Sequence, residues 1–209
     1  MKDIRICFFG DSFINGTGDL SYLGWTGRAC AAVVSSHAGQ IGLTYYNLGV
    51  RGNSSEQVEA RWPAEAALRF ATECEARLVF AFGTCDNLTQ AKADPLSQAE
   101  SFFIEPRNSV ACARRILTRA IAQHPTLLIG PPPVADKTLN QRNQASSKAY
   151  EILASELSVP YLDVYTPLRE NEIWMAEVAR IDGYHPAAAG YQALAQLVSS
   201  WTAWQAWFA

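Results

Sequence analysis

Five apolar runs of strand length, at 4–9, 43–48, 78–82, 127–129 and 161–164, recur along the chain with mixed polar and apolar stretches between them. The runs are nearly continuous rather than alternating, which is the pattern of strands covered on both faces. Parallel strands need crossover helices, and the intervals are long enough to hold them. Helices are therefore predicted over 22–37, 54–70, 98–123, 139–157, a short piece near 168–178, and from 187 to the end. Ser54-Ser55-Glu56-Gln57 marks one start, because it sets capping hydroxyls ahead of acidic and amide groups in a first turn. Five βα units of this kind predict a three-layer α/β/α fold. Ligands bind open parallel sheets at the carboxyl ends of the strands. Chemistry is thus expected in the loops at 10–18, 49–54, 83–97, 130–138 and 165–185. The proline run 131–133 directly follows the fourth apolar run and fits a rigid loop at such an end.

Composition narrows the class. The chain has 209 residues, the size of one large α/β domain, so a single domain over 1–209 is expected. With 49% hydrophobic and 18% charged residues it is too apolar for disorder, and its scattered charges leave no uninterrupted membrane span. A net charge of -3, without a basic cluster interleaved with aromatics, argues against nucleic acid as a partner. The first apolar run begins too soon after Met1 for a signal peptide, so a cytoplasmic location is expected. Five cysteines without CxxC spacing read as reduced thiols rather than a disulfide framework or zinc site. No HExxH motif or phosphate loop is present, and Gly16-Thr17-Gly18 lacks the third glycine of a dinucleotide turn. Neither a metal nor an organic cofactor is expected.

Gly10-Asp11-Ser12 closes the first run, where a sharp turn can present a hydroxyl at the sheet edge. Alone, it reads equally well as a turn with Ser12 capping a helix. A serine is a poor nucleophile at neutral pH and needs a base, preferably one oriented by a carboxylate. Asp182-Gly183-Tyr184-His185-Pro186 offers both, although Asp182 and His185 could equally cap the last helix. Of the three histidines, His37 and His124 fall at expected helix C-termini, which leaves His185 as the candidate base. Its Nδ1–H would face Asp182 and its Nε2 would face Ser12. Backbone N–H groups of Ser12 and of the loop carrying Gly49 and Gly52 are candidates for an oxyanion hole. The GxSxG elbow of another hydrolase class is absent, because Ile14 holds its last place.

Five blocks in order, Gly10-Asp11-Ser12-Phe13, Asn47-x-Gly49-x-x-Gly52, Gly83-Thr84-Cys85-Asp86, Gly130-Pro131-Pro132-Pro133 and Asp182-x-x-His185-Pro186, resemble the SGNH (GDSL) hydrolase superfamily. The resemblance runs nearly end to end. It implies a flavodoxin-like five-stranded parallel sheet of order 2-1-3-4-5, Ser12 as nucleophile, and His185 as base oriented by Asp182. It also implies Ser12 and Gly52 N–H groups in the oxyanion hole, and no cofactor. The implied activity is hydrolysis of a small or medium acyl ester, with carbohydrate O-acyl esters, lysophospholipids and thioesters as substrate classes. An acyltransferase on the same site, or a catalytically weakened ligand-binding protein, are the alternatives.

One block departs from the family pattern, which places an asparagine donor where this chain has Cys85. A thiol is a weak donor, and loss of one hole donor typically costs about 2.7–4 kcal/mol, or roughly 10²–10³ in turnover. Three readings stay open: Asn87 swings its amide into the hole, the two backbone donors suffice, or the site serves another task. A second nucleophile at Cys85 is disfavoured, since no further histidine is expected beside it. The Trp201, Trp204 and Trp207 tail is expected to pack the last helix on the sheet, with a homodimer contact, or contact with an acyl chain or membrane surface, as the alternatives.

Overall fold

The computed structural model describes residues 2–37, 39–71, 73–88 and 104–209. Strands β1 (Lys2–Gly10), β2 (Ile41–Gly49), β3 (Glu75–Ala81), β4 (Thr126–Ile129) and β5 (Tyr161–Leu162) form one parallel sheet in the order β2-β1-β3-β4-β5. The apolar runs become strands because both sheet faces are buried. Ile4, Ile6 and Phe8 of β1, with Val79 and Ala81 of β3, enter one core, while Cys7 and Phe9, with Leu78 and Phe80, enter the other. This period of two is what a pleated strand imposes.

The first core is covered by α2 (Gly24–Ser36), α7 (Glu172–Ile181), α8 (Ala188–Ser200) and α9 (Thr202–Gln205), and the second by α3 (Ser55–Ala67), α4 (Pro106–Ile121) and α5 (Lys137–Glu156). Two short helices, α1 (Ser12–Asn15) and α6 (Tyr165–Arg169), follow β1 and β5. Ser54 caps α3 through a reciprocal box, its hydroxyl accepting from Gln57 N and its own N–H reaching Gln57 Oε1 at 2.8 Å. That is the start expected from Ser54-Ser55-Glu56-Gln57.

Other boundaries differ from expectation for local reasons. The piece near 168–178 divides into α6 and α7, because Asn171 caps a new helix by accepting from Trp174 N at 2.8 Å. Helix α4 begins at Pro106, whose ring suits a first helical position, and the expected start at 98 lies outside the described residues. The last helix does not run to the end. Trp201 is extended (φ -75°, ψ 123°) and turns the chain so that Trp204 and Phe208 bury in the first core. Arg77 of β3 donates to Trp207 O and stacks over the Trp207 and Phe208 rings, fixing the tail in place. Trp201 and Trp207 pack half-buried against the same core. No helix among the described residues is long and apolar enough to cross a membrane.

Candidate active site

At the carboxyl edge of the sheet, Gly10 stands in register with Gly49 of β2 and Ala81 of β3. A Cβ on Gly49 would lie 2.2 Å from Asn15 N, so α1 can pack on the strand ends only because that residue is glycine. Asp11 caps α1 by accepting from Phe13 N at 2.9 Å, and the helix closes after one turn where Gly16 N–H reaches Ser12 O. The cap is therefore Asp11, not Ser12. Ser12 is left at the first helical position with its hydroxyl unused by local structure.

The facing wall is the turn after α7. Asp182 Oδ1 accepts from Tyr184 N at 2.9 Å and His185 N at 2.8 Å, while Oδ2 lies 2.6 Å from His185 Nδ1. His185 Nε2 lies 2.7 Å from Ser12 Oγ. Because the carboxylate accepts the Nδ1 proton, Nε2 carries the lone pair that faces the serine. Against the opposing effect of desolvation, the His185 ring and two backbone N–H groups hold the Asp182 carboxyl well below the usual carboxylate range. Phe13 packs its ring 5.2 Å from the imidazole, and Gly18 passes so close that a Cβ on it would lie 2.6 Å from Pro186 O and 3.2 Å from the His185 Cβ.

Neither Asp182 nor His185 caps α8. Glu177 of α7 does so, its Oε2 accepting from Ala187 N at 2.9 Å and Gly190 N at 2.7 Å. The proline loop supports the same turn, since Ala135 N donates to Gly183 O at 2.9 Å and Pro133 O accepts from Trp174 Nε1 at 2.9 Å.

The loop after β2 forms the third wall. Val50 N bonds Gly10 O at 3.1 Å, Asn53 N bonds Val50 O at 3.0 Å, and Gly52 takes φ +82° between them. Asn47 ties this loop to α1 through Nδ2 and Ile14 O at 2.7 Å. Among the described residues the N–H groups of Ser12 and Gly52 donate to no protein acceptor. The two donors expected for an oxyanion hole are thus both unengaged.

Cys85 opens a 3-10 turn over Cys85–Asn87, and its Sγ lies 3.7 Å from Asp11 Oδ2. The thiol is directed at the carboxylate that caps α1, one residue before Ser12. Burial pushes the Asp11 carboxyl up to about 6. Asn87 is not brought to Ser12, because its Nδ2 is 3.0 Å from both Asn143 Oδ1 and Ser146 Oγ of α5. Asp86 stitches the turn to its surroundings, accepting from Ser55 N at 2.7 Å and Ser109 Oγ at 2.5 Å. His37 and His124 sit just beyond α2 and α4, the first with Nδ1 3.0 Å from Val33 O and the second against the Phe70 ring. Among the described residues no group of three or more His, Cys, Asp or Glu side chains could hold a metal ion.

A family model described as the GDSL-like Lipase/Acylhydrolase family matches residues 8–193. No curated protein matches the chain in sequence. Among solved structures, a catalytic mutant of an acetylxylan esterase from Geobacillus stearothermophilus superposes with a TM-score of 0.75 at 16% identity, over 94% of this chain and 93% of that one. A lipase/acylhydrolase from Enterococcus faecalis gives 0.71 at 18% identity, over 94% and 93%. These likenesses share the five-stranded parallel architecture.

Proposed function

Because this chain belongs to the GDSL-like lipase/acylhydrolase family, and is an esterase of the SGNH type, we propose that Ser12, His185 and Asp182 carry its chemistry through an acyl-enzyme. The observation that bears most weight is the imidazole bridging Asp182 Oδ2 at 2.6 Å and Ser12 Oγ at 2.7 Å. In this reading Ser12 Oγ attacks the ester carbonyl carbon while His185 Nε2 takes its proton. The carbonyl oxygen, now an oxyanion, accepts from Ser12 N–H and Gly52 N–H. Collapse breaks the ester C–O bond, and His185 returns its proton to the leaving alcohol. Water, deprotonated by the same nitrogen, then releases the acid and restores the serine.

The substrate we propose is a small-acyl ester of a carbohydrate hydroxyl. The acetylxylan esterase likeness supports it, since that protein acts on an acetylated sugar polymer. The free cysteines suit a reducing, cytoplasmic setting. The test is a panel of activated esters of rising acyl length, with an acetylated xyloside, run on the protein and on Ser12→Ala. Turnover that favours acetyl and vanishes in Ser12→Ala is expected. Equal turnover in both proteins, or no covalent mass gain on Ser12 from a fluorophosphonate, would overturn the assignment.

A further inference from the structure

We propose that Arg61 is a positioning residue that sets the spacing between the two backbone donors of the oxyanion hole. The proposal rests on the reading of Ser12 and Gly52 given above. Arg61 projects from α3, and its Nη2 donates to two carbonyls, Gly10 O at 3.0 Å and Leu48 O at 2.8 Å. Its Nε donates to Asn53 Oδ1 at 2.7 Å, and Nη1 to Glu65 Oε1 at 3.0 Å. The Phe9 ring lies beneath the guanidinium, 5.8 Å from its carbon.

The acceptors explain what this grip does. Gly10 stands two residues before Ser12, Asn53 directly follows Gly52, and Leu48 is the penultimate residue of β2, the strand that leads into the Gly52 loop. One planar group therefore holds the exits of β1 and β2 and the residue beside the second donor. A guanidinium is rigid and offers five donors in a plane, so acceptors bound to it keep their mutual distances. The lysine ammonium is a compact charge on a flexible stem and cannot span the same set. Such spacing matters because hole donors must lie about 2.7–3.1 Å from the oxyanion, and a displacement of about 1 Å can cost on the order of 10² in rate. Cys85 sharpens the demand. With the Cys85 thiol directed at Asp11 and the Asn87 amide held by α5, the proposed hole draws, among the described residues, on the two backbone groups whose spacing Arg61 sets.

Four variants test this: Arg61→Lys, Arg61→Met, Asn53→Ala and, as the control, Glu65→Gln. Turnover is expressed per active site titrated with a fluorophosphonate, so that any unfolded fraction drops out. Both Arg61 variants should lose about 10–100-fold in kcat with KM changed by less than about twofold. Asn53→Ala, which frees only the Gly52 side, should lose about 3–10-fold in kcat. Affinity for a boronic acid, which adds Ser12 Oγ to boron and sets an anionic oxygen in the hole, should fall in parallel with kcat. Glu65→Gln removes the charge from the one Arg61 hydrogen-bond partner that leads away from the hole, while leaving an acceptor oxygen, and should leave kcat unchanged. Unchanged kcat in both folded Arg61 variants, or an equal loss in Glu65→Gln, overturns the assignment. If the Arg61 variants fail to fold, Asn53→Ala decides, and wild-type kcat there overturns it. A wild-type protein that the fluorophosphonate leaves unlabelled would instead remove the reading of Ser12, and the role of Arg61 with it.

Discussion

Cys85→Asn would change two things at once, and the pH dependence separates them. Burial raises the Asp11 carboxyl from 3.8 to about 6, so its ionised form costs the folded protein roughly 3 kcal/mol. The thiol 3.7 Å away is a weak donor to that charge. A carboxamide N–H in its place would make a hydrogen bond to a charged group, which contributes about 1.5–3 kcal/mol. Asp11 is a raised carboxyl, so between about pH 4 and pH 6 the folded state holds a proton that the unfolded chain has released. Stability therefore falls as the pH climbs through that window. A better donor lowers the folded value, so its benefit is absent near pH 4 and full above pH 6. The larger side chain also strains a packed core by about 1–3 kcal/mol, but that cost does not depend on pH. Urea unfolding of both proteins at about pH 4 and pH 8 should show the variant gaining roughly 1–2 kcal/mol at the higher pH relative to the lower. The second amide hydrogen remains for the hole. Turnover of an activated acetate ester at about pH 8 should rise, with about 10²–10³ as its ceiling. A stability difference identical at both pH values would show that Asp11 does not sense residue 85, and unchanged turnover in the folded variant would show that the hole does not lack a donor there.

Further expectations concern the walls of the site. Asp182→Asn removes the acceptor that sets the His185 tautomer, and kcat should fall by about 10⁴ in ester turnover; a loss under tenfold would argue for another base. Asp182 is held below the usual range, so the stability it contributes is present above that range and is lost as pH falls through it. Acid titration of the same variant should therefore show a flatter acid limb. Gly18→Ala would set a Cβ 2.6 Å from Pro186 O and 3.2 Å from the His185 Cβ at φ +95°. It should cost about 1–3 kcal/mol and lower kcat more than it raises KM, whereas full activity in a destabilised variant would mean that this loop does not hold His185. Arg28→Met strips the partner from Asp19, a buried carboxylate that also accepts from Ser21 and Gly24. Urea unfolding at neutral pH should show a loss of about 3–5 kcal/mol, and a loss below about 1 kcal/mol would refute the pairing.

The sheet was legible because its inner strands β1, β3 and β4 are buried on both faces, which writes itself as unbroken apolar runs, whereas the edge strand β2 carries exposed Thr44 and Tyr45 within its run. Ser12 and His185, which the structure brings together, were legible as candidates for a different reason. Each lies at a chain turn, and the histidine was isolated because His37 and His124 had plain helix-end roles. Helix α1 is too short to show a period, although its marks, the Asp11 cap and Gly16 stop, stand in the sequence. Glu177 left no local mark. It accepts from Ala187 and Gly190, ten and thirteen residues on, and only the packing of α7 on α8 makes it a cap. Arg61 likewise reads as a solvated helix charge with Glu65 four residues away, until the strand exits are seen beneath it. The break at Trp201 was hidden because helix spacing continues past it and burial of Trp204 and Phe208 overrides local preference.

Asn87 shows how spacing misleads when the local geometry is wrong. A 3-10 turn has about three residues per turn, so a side chain two positions beyond Cys85 points well away from it. Its amide accordingly meets Asn143 and Ser146 on α5 instead of Ser12. Asn87 is therefore poorly placed to replace Cys85, and on the proposed reading the anion is held by the main-chain donors of Ser12 and Gly52. Main-chain donors cannot be tuned by their own side chains, only by whatever holds the backbone. On the proposed reading, the residues that hold that backbone then matter most: Asp86 tying the 3-10 turn to the N-terminus of α3, Glu177 behind the His185 turn, and Arg61 across the two strand exits.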